Sequence, residues 1–133
     1  ADAVLLAYQE GYRHFLCGMA LGCDLYFCEA VLALRQRYPE VTVEAAIPCP
    51  TQADAWPAAE RRRYRELVAK CDMETMVSGA YSSACMQRRD RYMVDHAALL
   101  IAAFDGTAGG TRYTVEYALR RGIEIFDVSI PTE

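Results

Sequence analysis

The sequence predicts an α/β fold, a Rossmann-like, doubly wound parallel sheet with helices on both faces. Short apolar segments alternate with segments that are apolar at helical spacing. After the first, each helical segment has ten or more residues, and strands joined by helices of that length run parallel through right-handed crossovers. With 133 residues, of which 53% are hydrophobic, the chain is expected to form one domain over residues 1–133.

The N-terminal part alternates helix and strand, and a glycine or a proline ends each helix. Gly11 ends the first helix and Pro39 the second, because glycine tolerates a left-handed C-cap and proline cannot continue a helix. The predicted elements are a helix over Asp2–Glu10, a strand from Tyr12 (YRHFLC), a helix over Asp24–Tyr38 and a strand from Val41 (VTVEAAI).

The alternation continues after a proline-rich loop, Pro48–Pro57. The predicted elements are a helix over Ala58–Lys70, a strand METMVS from Met73, a helix over Ser83–His96, a strand over Ala98–Phe104, a helix over Thr111–Arg121 and a strand IEIFDV from Ile123. Doubly wound folds usually open on a central strand, whereas this chain opens on a helix. We therefore expect a first strand and its loop to precede Ala1 in the natural protein.

Charge and hydrophobicity exclude several classes of protein. The formal net charge is −4, which argues against an indiscriminate nucleic-acid binder because phosphate-backbone binding relies on surplus lysine and arginine. The charged run Glu60–Arg65 is predicted to be a solvated helix face, with a nucleic-acid or partner contact as the alternative. No apolar run approaches the ~18 to 20 residues of a membrane span, and no signal segment opens the sequence. We predict a cytoplasmic protein without a membrane partner.

The six cysteines are predicted to be reduced and mostly buried. They are scattered through apolar segments without a CxxC pair, and the sequence has only two histidines. Neither a disulfide framework nor a zinc site is expected, and no metal or cofactor is predicted. Cys23, near the start of a predicted helix, is the cysteine to test for reactivity.

Two glycine-rich turns follow predicted strands and precede predicted helices. One is GMALG, and the other lies in FDGTAGGTRYTVEYA, which starts at Phe104. At the carboxyl ends of parallel strands, glycine lets the backbone turn tightly, and the start of the next helix attracts anions. The turns predict a phosphate-bearing ligand such as a nucleotide, although either turn alone is equally well explained as a tight turn. The candidate ligand-binding residues are Gly18, Gly22, Gly109, Gly110, Thr111, Arg112 and Thr114.

The second turn matches neither standard nucleotide motif. GTAGGT has neither the Gly-Lys-Ser/Thr of a P-loop nor the GxGxxG spacing. ATP hydrolysis and ordinary dinucleotide binding are therefore disfavoured.

Five other side chains have a functional or a structural interpretation. Asp24 either caps its helix or holds ribose hydroxyls. Trp56 either stacks on a base or anchors the core, and Gln52 is placed to read the polar edge of such a base. His14 and His96 lie at the edges of apolar strands, and we predict structural roles for both.

Four segments of the sequence carry a family resemblance. They are GMALGCD, PCPTQADAW, RRDRYMVDHAALLIAAFDG and GGTRYTVEYA, in that order. Together they resemble the YpsA-like proteins, a bacterial family of unassigned function. The resemblance spans nearly the whole chain and implies membership of the SLOG superfamily of Rossmann-like domains, which includes the DNA-processing protein DprA and the LOG phosphoribohydrolases. YpsA-like proteins usually begin with a strand and a Thr-Gly-His-Arg-type loop, so part of the ligand site is expected in such a segment.

The resemblance to LOG enzymes implies a catalytic pair. Those enzymes carry a Gly-Gly-x-Gly-Thr-x-x-Glu motif and, upstream, an arginine followed four residues later by methionine. On this chain Glu116 matches the glutamate and Arg89 matches the arginine. Arg112 and Tyr113 replace the third glycine and the threonine, and Asp90 stands where a LOG enzyme has lysine. Phosphate binding tolerates these departures better than hydrolysis does.

Three functions remain open from the sequence. The first is a sensor or signalling module that binds a nucleotide or nucleotide-derived small molecule without turning it over. The second is a LOG-like N-glycosidic phosphoribohydrolase, and the third is DprA-like binding of single-stranded nucleic acid, which the acidic balance disfavours. Large apolar side chains on the helices Asp24–Tyr38 and Ser83–His96 exceed what one sheet face needs, so a homodimer is also predicted.

Overall fold

Among the described residues, ten elements alternate in the order that the sequence predicts. The structure is a computed structural model, and it describes residues 2–103 and 110–128. The ends of the elements lie within about two residues of the predicted ones, which is the usual uncertainty of helix and strand ends. The elements are α1 (Asp2–Gln9), β1 (His14–Cys17), α2 (Cys23–Arg37), β2 (Thr42–Ile47), α3 (Ala58–Lys70), β3 (Met73–Met76), α4 (Cys85–Asp95), β4 (Leu99–Ala103), α5 (Gly110–Arg120) and β5 (Glu124–Val128).

The paired strands are parallel and form two sheets in the described part of the chain. β1, β2 and β3 lie side by side in that order, and β4 pairs with β5. His14 of β1 lies opposite Thr42 of β2, and Leu99 of β4 lies opposite Glu124 of β5. The α/β, Rossmann-like class is confirmed. The described strands do not form one continuous sheet, because a cavity lies between β1 and β4.

Helices cover both faces of the first sheet. Phe15 and Val43 are neighbours in the strand register, and the Phe15 ring lies 6.4 Å from that of Phe27 on α2. Successive residues of a strand point to opposite faces, so Glu44 points away from α2. It accepts a hydrogen bond from Tyr92 of α4. Since α2 and α4 lie on opposite faces, the arrangement is doubly wound.

β2 is the middle strand of its sheet, and both its faces are covered. Val43, Ala45 and Ile47 are almost completely buried, and Glu44 is only 4% exposed. A parallel strand covered on both faces has a near-continuous apolar sequence, as VTVEAAI does. The core around it also contains Val4, Leu25, Val31, Leu34, Val41 and Leu67.

The cavity between β1 and β4 has a volume of about 560 Å³. Both strands line it, together with apolar side chains of α1, α2 and α4. It reaches Gly18, Cys23 and Asp24 at the carboxyl end of β1. In parallel α/β sheets ligands bind at this edge, so the fold places the loop after β1 where a ligand site is expected.

Candidate functional site

The loop after β1 lies at the centre of the candidate site. It runs from Gly18 to Gly22, and Met19 within it has a left-handed φ of 59° although its side chain is fully buried. Left-handed backbone costs a non-glycine residue about 1 kcal/mol or more, and such strain concentrates at functional sites. Gly22 precedes α2 with a φ of 95°, a conformation that favours glycine.

Gly18 allows two charged side chains to approach the backbone. A Cβ atom at this position would lie 3.0 Å from Oδ2 of Asp24 and 3.1 Å from Nη1 of Arg89. The sequence explains Gly18 as part of a tight turn, whereas the structure gives a second reason, since any side chain would displace a carboxylate and a guanidinium.

Replacing Gly18 by alanine is therefore expected to lower the free energy of unfolding by about 1–2 kcal/mol, because a methyl group would be forced into an occupied space. Gly79→Ala is the matched control, since a Cβ at Gly79 meets nothing within 4 Å. The control should change stability by less than about 0.5 kcal/mol. Urea denaturation of both variants makes the comparison, and equal stabilities would contradict the close approach at Gly18.

Asp24 lies in the first turn of α2 and points back over the loop. Its Oδ2 accepts a hydrogen bond from the backbone N–H of Ala20 at 3.2 Å. Burial raises the pKa of Asp24, and the positive charge of Arg89 opposes this effect. Asp24 thus satisfies an N–H of the preceding loop, not one of its own helix. A role in holding ribose hydroxyls stays a prediction.

Arg89 of α4 connects the loops that follow β1 and β2. The residue is only 6% exposed, and Nη1 donates to the carbonyl oxygen of Gly18 and to Oε1 of Gln52, the latter at 3.2 Å. Nε donates to Oδ1 of Asp90 at 2.9 Å. Nη2 contacts the sulfur of Met86 at 3.8 Å, a weak acceptor that leaves hydrogen-bonding capacity on this nitrogen. The guanidinium is therefore both a structural link and a candidate anion-binding group.

Gln52 and Trp56, from the loop after β2, both contact other residues of the protein. Nε2 of Gln52 donates to the carbonyl oxygen of Met19 at 3.3 Å, so both ends of this amide have protein partners. The ring of Trp56 meets that of Tyr64 edge-on at 5.2 Å and packs against the core, which favours the anchor interpretation. Base reading and base stacking by these residues stay predictions.

The loop after β3 brings two unpredicted hydroxyl groups to the same edge. The Oγ atoms of Ser78 and Ser82 are buried and have no hydrogen-bond partner among the described residues. The backbone N–H of Ser78 donates to the carbonyl oxygen of Pro48 at 3.0 Å, so this loop lies beside the loop after β2. Buried polar groups without partners are costly, which makes these serines candidates for contacting a ligand. Serine in a loop gives no distinctive sequence signal.

α5 begins at Gly110, where the glycine pair predicts a helix start. Thr111 and Arg112 occupy its first turn, and Thr114 is half-buried in the next. Gly109 lies outside the described residues. The phosphate-binding roles of these five residues stay predictions.

The predicted catalytic pair lies on neighbouring helices. Tyr117 of α5 donates to Oδ1 of Asp95 on α4 at 2.8 Å, and Nε of Arg121 lies 3.3 Å from the same atom. Glu116 is exposed on α5, whereas Arg89 is buried on α4. A shared cleft for the two side chains stays a prediction.

A buried polar cluster beneath α4 was missed by the sequence analysis. Glu44 Oε1 lies 3.0 Å from Nε2 of His14, and Oε2 accepts hydrogen bonds from Tyr92 and, at 2.8 Å, from Thr75. Burial alone would raise the pKa of Glu44, yet the hydrogen bonds from Tyr92, His14 and Thr75 together hold it below its usual value. His14 thus has the structural role predicted for it. A glutamate inside an apolar strand was the available signal.

The cysteines are free thiols, and four of the six are buried. The Sγ atoms of Cys28 and Cys71 are 3.9 Å apart, and a hydrogen bond with Cys17 together with burial raises the pKa of Cys28 to about 12. Cys23 is exposed at the start of α2.

A brief iodoacetamide treatment near neutral pH should therefore label Cys23 first and leave Cys28 unmodified, because the thiolate is the reactive form. Peptide mass spectrometry reads the sites, and Cys23→Ser is the control that should remove the early label. Early labelling of Cys28 would contradict this assignment.

The structure also gives results on metal sites, membrane-spanning helices and the charged run Glu60–Arg65. Within residues 2–103 and 110–128, no group of three histidine, cysteine, aspartate or glutamate side chains is placed to hold a metal ion. None of the helices in that part of the chain is long and apolar enough to cross a membrane. Arg63, in the basic run of α3, pairs with Glu29 and with Glu60, as expected for a solvated helix face.

Comparisons with known proteins identify relatives over most of the chain. The family model YpsA, described as the YspA SLOG family, matches residues 2–125. The SPbeta prophage-derived protein YoqJ of Bacillus subtilis is 31% identical over 126 residues, which cover 86% of this chain and 73% of that protein. A UPF0398 protein of Halalkalibacterium halodurans is 26% identical over 121 residues, covering 89% and 64%. The UPF0398 protein YpsA of Bacillus subtilis is 24% identical over 121 residues, covering 88% and 67%. The chain thus spans about two thirds to three quarters of the length of these relatives.

Proposed function

Because this chain belongs to the YpsA-like SLOG family, we propose that it binds a nucleotide or nucleotide-derived small molecule at the carboxyl edge of its sheet, as a sensor or signalling module. The proposed site includes the loop after β1, Asp24 and Arg89, with the start of α5 as its predicted phosphate-binding part. Proteins of this architecture bind phosphate-bearing ligands where strands lead into helices.

The observation that carries the proposal is the position of Arg89. Its guanidinium is buried at the meeting point of the loops after β1 and β2, and within residues 2–103 and 110–128 the only contact of Nη2 is the weak one with Met86. A planar guanidinium binds two oxygen atoms of a phosphate with well-defined geometry. Because the protein already holds this cation in place, a phosphate that binds it would cost little side-chain entropy.

Asp24 supplies the complementary polar group. Its carboxylate and the Arg89 guanidinium both lie against Gly18, and a carboxylate is a good acceptor for ribose hydroxyls. A cation for phosphate and an acceptor for ribose in one place favour a nucleotide over inorganic phosphate alone.

Isothermal titration calorimetry with a panel of nucleoside monophosphates, nucleoside diphosphates and inorganic phosphate tests the proposal. At least one nucleotide should bind more tightly than inorganic phosphate, and Gly18→Ala should weaken that binding. Arg62→Ala, which removes an exposed arginine of α3, is the control and should bind normally. Absence of binding across the panel would refute the proposal.

The packing of α4 against α5 favours one second function, the LOG-like phosphoribohydrolase. It places Arg89 and Glu116 on neighbouring helices, and a carboxylate can stabilise the positive charge that develops on ribose as the base departs. Incubation with nucleoside monophosphates and chromatography for free base tests it. Base release that disappears in Glu116→Gln would support hydrolysis, whereas binding without release would leave the sensor function.

The third function, DprA-like binding of single-stranded nucleic acid, has its own test. Salt-dependent binding of single-stranded DNA would favour it over the other two.

Assembly as a homodimer in the bacterial cytoplasm is also part of the proposal. Tyr26 on α2 is 67% exposed, and Tyr81 and Leu21 are 69% and 48% exposed near the same edge loops. Exposed apolar side chains of this size are frequent at interfaces. Light scattering at tens of micromolar should give the mass of a dimer, and a monomer would contradict this assignment.

The proposed cytoplasmic location is supported by the cysteines, which are scattered and mostly buried, as expected of a protein in a reducing compartment.

A further inference from the structure

We propose that the phosphate group of the ligand binds at the start of α4, where the hydroxyl groups of Ser78 and Ser82 and Nη2 of Arg89 donate to its oxygen atoms. This subsite rests on the proposed function and specifies it, because it names α4, and not α5, as the helix that holds the phosphate. Three kinds of donor that lack a strong acceptor among the described residues lead to it.

The first donors are the two serine hydroxyl groups of the loop after β3. Both Oγ atoms are shielded from solvent, and neither has a hydrogen-bond partner within residues 2–103 and 110–128. A buried hydroxyl group without a partner costs the folded chain the full desolvation penalty of that group. Two such groups in one loop therefore indicate a partner that binds from outside the chain, and a phosphate has several strong acceptor oxygens.

Arg89 supplies the positive charge. Its side chain is only 7% exposed, and Nε and Nη1 already donate to protein acceptors. In the described part of the chain, Nη2 contacts only the sulfur of Met86, at 3.8 Å. A thioether is a weak acceptor, so the N–H groups of Nη2 are the part of the guanidinium that is available to a phosphate.

The start of α4 adds backbone donors. Ala84 stands at the N-cap position, and its side chain caps nothing. Cys85 donates its N–H to the carbonyl oxygen of Ser82 at 3.2 Å. The N–H groups of Met86 and Gln87 have no backbone acceptor among the described residues. Such N–H groups and the positive end of the helix dipole favour a bound anion.

Helix geometry brings these donors together. Because Cys85 donates to Ser82, the chain forms a turn there that places Ser82 directly before the first turn of α4. Met86 and Arg89 are three residues apart and share one face of the helix. The contact between them shows that the guanidinium folds back toward the helix start. Ser82 and the guanidinium are thus about one helical turn apart, or ~5 Å along the axis, which a phosphate and its hydrogen bonds can span.

Ser78 approaches the same place from the loop after β2. Its N–H donates to the carbonyl oxygen of Pro48, at the start of that loop, at 3.0 Å. Gln52, four residues further along the loop, accepts a hydrogen bond from Nη1 of Arg89 at 3.2 Å. Ser78 and Arg89 therefore both contact one short segment. The carboxylate of Asp90 accepts from Nε, so it does not occupy Nη2.

Calorimetric titration with AMP, GMP, CMP and UMP, each compared with its nucleoside, tests the subsite. Ser82→Ala should weaken binding of the tightest monophosphate at least about tenfold, because a hydrogen bond to a charged group is lost. Binding of the matching nucleoside should stay within about twofold of its value for the unmodified chain. Ser78→Ala should behave in the same way. Ser83→Ala, at an exposed neighbouring serine, is the control and should bind normally.

Thermal unfolding without any ligand gives a second measurement. An unpartnered buried hydroxyl group destabilises the free protein, so Ser82→Ala should raise the thermal midpoint by about 2–4 °C while it weakens phosphate binding. A serine with only a structural role would instead lower the midpoint when it is replaced, and that result would overturn the subsite.

The titrations separate failure of the subsite from failure of the proposed function. If none of the probes binds the unmodified chain, both are refuted. If a monophosphate binds, equal affinities of Ser82→Ala and Ser83→Ala would overturn the subsite alone. Equal losses for the monophosphate and its nucleoside would do the same. Selective loss of the monophosphate in Thr111→Ala, but not in Ser82→Ala, would place the phosphate at the start of α5 instead.

Discussion

Replacing Glu44 by alanine is expected to lower the free energy of unfolding by about 3 kcal/mol. The glutamate is almost fully buried, and its carboxylate accepts hydrogen bonds from Tyr92 and Thr75 and lies 3.0 Å from His14. Removing the acceptor leaves the half-buried hydroxyl groups of Tyr92 and Thr75 unsatisfied, each at a cost of about 1 kcal/mol or more, and the lost side chain leaves a cavity. Urea denaturation at pH 7 measures the effect. Glu66→Ala, at an exposed glutamate of α3, is the control and should stay within about 0.5 kcal/mol of the unmodified chain.

The contribution of Glu44 should also depend on pH. Its pKa is lower in the folded chain than in the unfolded chain, so the folded state favours the ionised carboxylate. Its stabilisation is therefore fully present above the unfolded pKa of about 4.3 and is lost as the pH falls through the folded pKa. The stability difference between the unmodified chain and Glu44→Gln should shrink between pH 5 and the acid limit of folding, as about one proton is taken up. A constant difference over that range would mean that Glu44 acts through packing alone.

Replacing Arg89 by methionine is expected to abolish nucleotide binding and to lower the free energy of unfolding by about 2–3 kcal/mol. Methionine fills much of the same space but leaves the carbonyl oxygen of Gly18 and Oε1 of Gln52 without their donor. It also removes the positive charge that opposes the burial of Asp24. The pKa of Asp24 should therefore rise, and carbon-detected NMR titration of its carboxyl group measures the change.

Arg89→Lys separates charge from geometry. Lysine keeps the positive charge but not the planar fork, so the pKa of Asp24 should rise less than in Arg89→Met, while nucleotide binding should still weaken at least about tenfold. Arg62→Met, on the exposed face of α3, is the control for both variants. Normal binding by Arg89→Met would show that Arg89 only links the loops.

The order of the elements could be predicted from the sequence because local signals mark their ends. Pro39 stops α2 and Gly122 follows α5 with a φ of 72°, and apolar runs of four to six residues mark the strands. The separation of β1 from β4 could not be predicted, since strand pairing joins residues far apart in sequence, and alternation alone does not say which edges meet.

The candidate site was predicted in part. GMALG was predicted as one of two glycine-rich turns at the ligand edge, but the reason for Gly18 depends on Arg89, which lies 71 residues away along the chain. Glu44 was read only as part of an apolar strand, since its partner Tyr92 lies 48 residues further along. Sequence patterns locate turns and buried faces, whereas long-range hydrogen bonds between side chains require the fold itself.

Met19 determines when the loop after β1 becomes ordered. Its left-handed backbone is held by a side chain that is fully buried, and withdrawing such a side chain from the core costs about 2 kcal/mol. The loop is therefore fixed when the chain folds, not when a ligand arrives. Conformational entropy that is lost during folding no longer opposes binding. Under the proposed function, a ligand at Gly18 would therefore meet a surface that is already formed, so its selectivity would follow from the shape of that surface and not from the closing of a loop.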